Sequence, residues 1–211
     1  MLYLKSLTRE LKEMWALVLS QHQKSLTALL TLDKDLAREI ILIEERVNSC
    51  EQFIESDFEH YFSLSGSEKV NIPFAMFALK TTGHLEIIGD LAKKIANDIL
   101  NISVHSQEMF TQANIEETFK RVNKIIELVM QAFNENDKAL AQVALNRIAV
   151  CQEMVSDCNN SLADYLKFHS NQYNDILNLF SVLESLKRTL EVTQNISLGI
   201  IKYKEVAPIQ I

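Results

Sequence analysis

Four oxygen-bearing side chains stand in two pairs whose spacing could bring them to one point. Glu86 and Asp90 are four residues apart, and Glu44 and Asn48 have the same spacing earlier in the chain. On a helix, residues four apart lie on one face with Cβ atoms about 5 to 6 Å apart. If two such helices are neighbours at the same level, three carboxylates and one amide oxygen meet. That hard, negatively charged cluster would need a cation such as Mg²⁺, Mn²⁺ or iron, or else strong solvation.

Spacing alone also fits a second explanation, because acidic pairs arise by chance on solvated helix faces. Gly89 lies between Glu86 and Asp90, and a glycine inside a helix costs about 1 kcal/mol relative to alanine. Such a glycine often marks close packing or a site. A metal site and a solvated acidic surface therefore both stay open at this point.

Long amphipathic helices are the expected elements of this chain. Among its 211 residues only 4 are glycine and 2 are proline, well below the usual shares of about 7% and 5%. Such a composition allows few tight turns and therefore few strands. Apolar residues instead recur every three or four positions through six segments, which is the pattern of helices with one buried face.

The six apolar stripes fall into two groups of three. They run through residues 4–29, 36–58, 74–99, 115–133, 140–162 and 176–200. The clearest loop covers residues 65–73, with Asn71 as a candidate helix cap and Pro73 in the next first turn. Three stripes that cover one another make a closed bundle. The sequence therefore predicts an all-α fold of two tandem, pseudo-repeated antiparallel three-helix bundles, residues 1–103 and 104–211, joined at a polar stretch over residues 105–114.

Charge and cysteine content narrow the functional classes. The formal net charge is −7 and no basic stripe is present, so binding to nucleic acid or to an anionic membrane surface is not expected. The three cysteines form no CxxC pair and sit on apolar stripes, which predicts buried thiols in a reducing compartment. No signal peptide is evident, and the densest apolar run, residues 73–79, is shorter than the ~20 residues that a bilayer span needs. We expect a cytoplasmic protein.

Two helices of the first half carry a family resemblance. The third predicted helix contains LEIIGDLA at residues 85–92, and the second contains EERVNSCE at residues 44–51. Both segments resemble helix signatures of the PhoU family of phosphate-signalling proteins, and residues 195–203 are similar to the end of that family's second bundle. The resemblance spans nearly the whole chain and is specific in residues 33–100.

The resemblance implies a cytoplasmic regulator that restrains phosphate import and the phosphate-starvation response. PhoU proteins are thought to contact the ATP-binding subunit of the phosphate ABC transporter and a sensor histidine kinase, so this chain is expected to reach the membrane only through partners. The family carries acidic pairs, Glu or Asp followed four residues later by Asp, that bind metal ions. Matched residue by residue, the metal positions here are Glu44, Asn48, Glu86 and Asp90. The implied ion is magnesium, manganese, iron or zinc in bundle one, and a homodimer is a further expectation.

The second half departs from the family pattern. There the acidic pairs fall on Ile148 with Gln152 and on Lys187 with Glu191. Ile148 continues an apolar stripe, and Lys187 and Glu191 are expected to neutralise each other, so we predict no metal in bundle two. The family's Asp-Leu-Arg before the third helix is Asn-Ile-Pro at residues 71–73, which removes any contact made by that arginine.

The sequence offers no visible catalytic machinery. It lacks a phosphate-binding glycine loop, a GxSxG nucleophile turn and a zinc-spaced Cys/His set. Asp57 and His60 have the spacing of one ferritin-like di-iron motif, but the second copy that such a site needs is missing. Two alternatives stay open: a metal-free helical scaffold with a partner surface, and a carboxylate-bridged metal enzyme, for which an exposed helix face gives little shelter from water. We predict a non-enzymatic regulator that acts by protein-protein contacts.

Overall fold

The protein is helical throughout the part of the chain that the structure describes. The computed structural model describes residues 2–65, 72–103 and 107–206, and these ranges contain no strand. None of their helices is long and apolar enough to cross a bilayer. The elements are α1 (Leu2–Thr31), α2 (Lys34–Ser65), α3 (Ile72–Asn101), α4 (Gln107–Gln112), α5 (Ile115–Glu135), α6 (Lys138–Phe168), a 3₁₀ turn (Ser170–Gln172) and α7 (Tyr173–Val206).

The turns that follow α1 and α5 have the same construction. Each contains a non-glycine residue with positive φ, Leu32 at 49° and Asn136 at 50°. The next residue is an aspartate, Asp33 or Asp137, whose Oδ1 accepts hydrogen bonds from the backbone amides two and three residues further on. An aspartate in this position satisfies amide groups that the first helical turn leaves unpaired. The two aspartates therefore fix where α2 and α6 begin.

Two groups of three mutually packed helices confirm the predicted fold class. The first group is α1, α2 and α3, and the second is α5, α6 and α7. The groups are joined mainly along α3 and α7, with further contact between α1 and α5. A continuous apolar core therefore runs through both groups. The division of the chain into residues 1–103 and 104–211 stays a prediction.

The buried positions of the first helix group recur in the second. Within each pair of matched helices, the same number of residues separates each buried position from its counterpart. α1 matches α5, α2 matches α6 and α3 matches α7. The matched buried residues include Trp15 with Phe119, Val18 with Val122, Ile40 with Ala144, Val47 with Cys151, Leu85 with Leu186, and Ala92 with Thr193. Because both halves bury the same helix faces, residues at matched positions can be compared directly.

The stretch expected to be a polar junction contains more structure than the sequence predicts. Within residues 105–114 the chain forms the short helix α4. Met109 and Phe110 in this helix are buried and belong to the common core. Two adjacent apolar residues on one short turn are too few for a periodic pattern, so the sequence does not predict this helix.

Both ends of the segment that the sequence predicts as a loop, residues 65–73, lie within helices. α2 continues to Ser65, beyond the second apolar stripe, which ends at residue 58. Pro73 lies in the first turn of α3, as predicted, where its missing amide hydrogen breaks no helical hydrogen bond. The candidate cap Asn71 lies outside the described residues.

The three cysteines differ in burial. Cys151 and Cys158 are buried, as predicted, but Cys50 is only half-buried. Glu51 beside it is also only half-buried. This part of α2 therefore lies at the edge of the first helix group.

Candidate metal site

Glu44 of α2 lies inside the first helix group, where α1, α2 and α3 meet. Its side chain is fully buried, although a carboxylate is rarely buried unless it is paired. Gly89 of α3 makes room for it, because a Cβ atom at position 89 would lie 2.7 Å from Glu44 Oε2 and 3.1 Å from Val47 Cγ1. The mid-helix glycine therefore marks close packing of α2 against α3.

One oxygen of the Glu44 carboxylate is hydrogen-bonded and the other is not. Gln21 Nε2 of α1 donates a hydrogen bond of 3.0 Å to Oε2, whereas the buried Oε1 has no hydrogen-bond partner among the described residues. Burial is the main cause that raises the pKa of Glu44 to about 7; the Gln21 hydrogen bond opposes this shift and the nearby Asp90 carboxylate adds to it. A buried, unpaired oxygen on a group that ionises near neutral pH is available to a cation.

Glu86 and Asp90 lie side by side on α3, the first half-buried and the second exposed. Burial raises the pKa of Glu86, and the carboxylates of Asp90 and of Glu51 on α2 raise it further. Burial also raises the pKa of Glu51, with Glu55 and Asp90 adding to the effect. Carboxylates that shift one another in this way lie close enough to repel. The structure therefore adds Glu51 to the acids that the sequence places near this point.

Asn48, the fourth predicted ligand, lies half-buried one turn after Glu44. Among the described residues, no group of three or more His, Cys, Asp or Glu side chains is close enough together to hold a metal ion. The structure thus places Glu86 beside Asp90 on α3. Glu44 lies on the inner side of α2, near enough for both carboxylates to raise its pKa. The structure does not gather all four predicted ligands around one point.

Two buried polar residues, which the sequence does not predict, lie near this region. His22 of α1 is fully buried, and burial lowers its pKa to about 4, so the ring is neutral at pH 7. Its Nε2 lies 3.1 Å from the carbonyl oxygen of Ile88 on α3 and donates to it, while Nδ1 has no hydrogen-bond partner in the part of the chain that the structure describes. Asn123 Nδ2 of α5 donates to the carbonyl oxygen of His22 at 3.3 Å. The sequence indicates the burial of His22 and Asn123 only by placing a polar residue where the apolar stripe continues.

The matching positions of the second half hold different side chains. Ile148 is buried on the apolar stripe of α6, as predicted, and Gln152 is half-buried. The expected pair of Lys187 with Glu191 is wrong, because Glu191 instead accepts a hydrogen bond of 2.8 Å from Arg188 Nη1. Spacings of three and four residues are both allowed on a helix surface, and the shorter one is used here.

The donors in the first half suit a hard cation by their chemistry. Carboxylate and amide oxygens are ligands that magnesium, manganese and iron accept. Positive charge would satisfy the unpaired Oε1 of Glu44 and would offset the repulsion between Glu86 and Asp90. Lys93 supplies part of that charge, since it lowers the pKa of both Glu44 and Glu86.

Comparison with known proteins assigns the first half to a family. The PhoU domain matches residues 11–99, a range that contains Gln21, Glu44, Glu86 and Asp90. Residues 11–99 belong to the PhoU family. The PhoU match ends within α3, so α5, α6 and α7 lie outside it.

Two PhoU homologues are similar to this chain over most of its length. A phosphate-specific transport system accessory protein PhoU homolog from Pseudomonas aeruginosa is 21% identical over 92% of this chain and 80% of its own length. Its counterpart from Caulobacter vibrioides is 25% identical over 92% of this chain and 84% of its own.

Solved PhoU structures share the whole architecture. PhoU from Pseudomonas aeruginosa superposes with a TM-score of 0.89 at 20% identity, covering 97% of this chain and 98% of that one. The phosphate transport system regulatory protein PhoU from Streptococcus pneumoniae gives a TM-score of 0.86 at 18% identity, covering 100% of this chain and 99% of that one. The second half therefore has the PhoU fold as well.

Proposed function

We propose that this chain is a cytoplasmic, non-enzymatic regulator of phosphate uptake and of the phosphate-starvation response. The observation that carries the proposal is the PhoU domain match over residues 11–99. Its relatives are named as accessory proteins of a phosphate-specific transport system. The chain acts through contacts with the ATP-binding subunit of a phosphate ABC transporter, with a sensor histidine kinase, or with both. These contacts restrain import and signalling when phosphate is plentiful.

In this proposal Glu44, Asn48, Glu86 and Asp90 hold a metal ion between α2 and α3, for which their side chains come closer together than they lie in this structure. The ion would supply positive charge to a cluster of carboxylates and stiffen the two helices against each other. The buried, unpaired Oε1 of Glu44 supports this role. Gly89 allows the close approach of the helices, and Asp90 remains exposed where a partner can reach it.

Elemental analysis of the purified protein tests the metal site. We expect stoichiometric magnesium, manganese, iron or zinc in the wild type and its loss in a variant with Glu86→Ala and Asp90→Ala. Glu116→Ala with Glu117→Ala is the matched control, because both are surface acids of α5 that pair with basic neighbours. A wild-type protein without stoichiometric metal would refute the proposed metal site. The chain would then be a metal-free scaffold that acts through its surface.

A deletion strain tests the regulatory role separately from the metal. Loss of the gene should raise phosphate uptake and the output of a phosphate-starvation reporter in phosphate-rich medium, and the wild-type chain should restore both. The tagged chain should also recover the transporter ATP-binding subunit or the kinase in a pull-down. Unchanged uptake and reporter output in the deletion strain would refute the proposed function, whatever the metal content. We further propose that the chain forms a homodimer, which light scattering of the pure protein tests.

A further inference from the structure

A groove runs between α5 and α6, outside the range that matches the PhoU domain. Its volume is about 540 Å³, and the buried Ile125 and Cys151 form part of its lining. Val143 and Val150 of α6 also line it, with 41% and 53% of their surfaces exposed. These two valines are seven residues apart, so they stand two turns apart on one face of α6. Exposed apolar side chains at this interval leave a helix face without a partner helix.

Positive charge surrounds the exposed valines. Arg121 and Lys124 of α5 and Arg147 of α6 line the groove, and Glu117 is its one acidic lining residue. Glu117 Oε1 pairs with Arg121 Nε at 2.8 Å. Within the described part of the chain no ion pair involves Lys124 or Arg147. In a protein with a net charge of −7 this groove is therefore locally cationic.

Packing of the two helices does not require this charge. The three cations have uncharged residues at the matching positions of α1 and α2, namely Leu17, Ser20 and Ile43. α1 and α2 nevertheless pack against each other as α5 and α6 do. The cationic lining is therefore a property of the second half and not of the fold.

We propose that the groove between α5 and α6 docks an acidic amphipathic helix of a partner protein. A helix that lies in a groove presents its residues at i, i+3 or i+4, and i+7, which matches the two-turn interval of Val143 and Val150. Acidic residues beside that apolar stripe would face Arg147 on the α6 side and Lys124 on the α5 side. Docking would bury the valines and pair both cations.

Other ligands fit these residues less well. A small anion would pair with the cations and leave Val143 and Val150 in water. A purely apolar helix would cover the valines but take Lys124 and Arg147 out of water without a partner, which is costly. An acidic amphipathic helix is the one class that satisfies both the apolar and the charged lining. This inference is independent of the phosphate regulation proposed above.

Two stapled helical peptides with the same leucine stripe test the proposal, one with a glutamate-rich outer face and one with a lysine-rich outer face. Binding to the full-length protein is measured by fluorescence anisotropy. We expect the acidic peptide to bind at least about tenfold more tightly than the basic one, since close charge pairs contribute of order 1.4 kcal/mol together. Arg147→Glu with Lys124→Glu should reverse this preference, and Val143→Ser with Val150→Ser, which removes apolar contact without adding charge, should weaken both peptides.

Lys120→Glu is the matched control, because Lys120 is also on α5 but does not line the groove and pairs with Glu116. It should leave the preference for the acidic peptide unchanged. Equal affinity of the two peptides, no binding of either, or an equal effect of Lys120→Glu would overturn the proposal. A wild-type dimer that dissociates on Arg147→Glu would also overturn it, because a second copy of the chain would then cover the groove.

Discussion

Replacing Gly89 with alanine tests the close approach of α2 to α3 at Glu44. The added Cβ would lie 2.7 Å from Glu44 Oε2, 3.1 Å from Val47 Cγ1 and 3.3 Å from Gln21 Oε1. The first of these separations is too short for a real contact, so the carboxylate must move. Glu44 is fully buried and is hydrogen-bonded to Gln21. Its movement therefore breaks that hydrogen bond or displaces neighbouring side chains.

The net effect of Gly89→Ala is a sum of opposing contributions. Helix propensity favours alanine by about 1 kcal/mol. Overpacking of a buried site costs about 1 to 3 kcal/mol, and loss of the hydrogen bond between Gln21 and Glu44 costs about 1 kcal/mol more. The free energy of unfolding should therefore fall by about 1 to 3 kcal/mol. For a chain of this length that corresponds to a fall in Tm of roughly 2 to 12 °C.

Gly83→Ala is the matched control for this experiment. Gly83 lies in the same helix, and a Cβ there would meet no atom of the described residues within 4 Å. Its replacement should gain up to about 1 kcal/mol from helix propensity alone and raise Tm. Urea and thermal unfolding followed by circular dichroism measure both variants. If Gly89→Ala stabilises the protein as much as Gly83→Ala does, the packing of Glu44 against α3 described above is refuted.

Two further predictions concern buried ionisable groups. In metal-free protein, Glu44 has a pKa raised to about 7, so its contribution to the stability of the fold is lost as pH rises to 7. His22 has a pKa lowered to about 4, so its contribution is lost as pH falls below 6.5. Glu44→Gln should therefore make the urea midpoint fall more steeply on acidification from pH 6.5 to 4.5 than in the wild type, and an unchanged slope would contradict this assignment. Burial raises the pKa of Cys151 to about 11, and Cys158 is buried too, so a thiol reagent should modify only the half-buried Cys50 in the native protein. Cys50→Ser should abolish the native-state reaction, and reaction of more than one thiol without urea would count against the described core.

The parts of the fold that depend on local pattern follow from the sequence. Helix periodicity predicts the six long helices, and Asp33 marks the start of α2 because a side-chain cap acts over three residues. The pairing of Glu86 with Asp90 is also local, since one helix carries both. Each of these features depends on residues within one or two helical turns of each other.

The environment of Glu44 could not be predicted in this way. Its burial depends on Gln21 and Gly89, which come from two other helices, and the spacing of Glu44 and Asn48 carries no information about them. The contact of Asn123 with His22 joins the two halves and is equally invisible to periodicity. The choice of Arg188 over Lys187 as the partner of Glu191 is decided by surface pairs of about 0.2 to 0.5 kcal/mol, which sequence spacing cannot rank.

The second half shows what the same helix packing looks like without the polar cluster. Matched positions hold Ile125 for Gln21, Ile126 for His22, Ile148 for Glu44, and Leu190 for Gly89, and all four of these second-half residues are buried. An apolar set therefore packs the same three-helix arrangement, and replacing buried polar groups by well-packed hydrocarbon is often neutral or stabilising. The first half instead keeps a buried carboxylate with an unpaired oxygen and a glycine that lowers helix propensity. Packing gives no reason for these residues, so the polar cluster is the part of the molecule where a ligand or partner is to be sought.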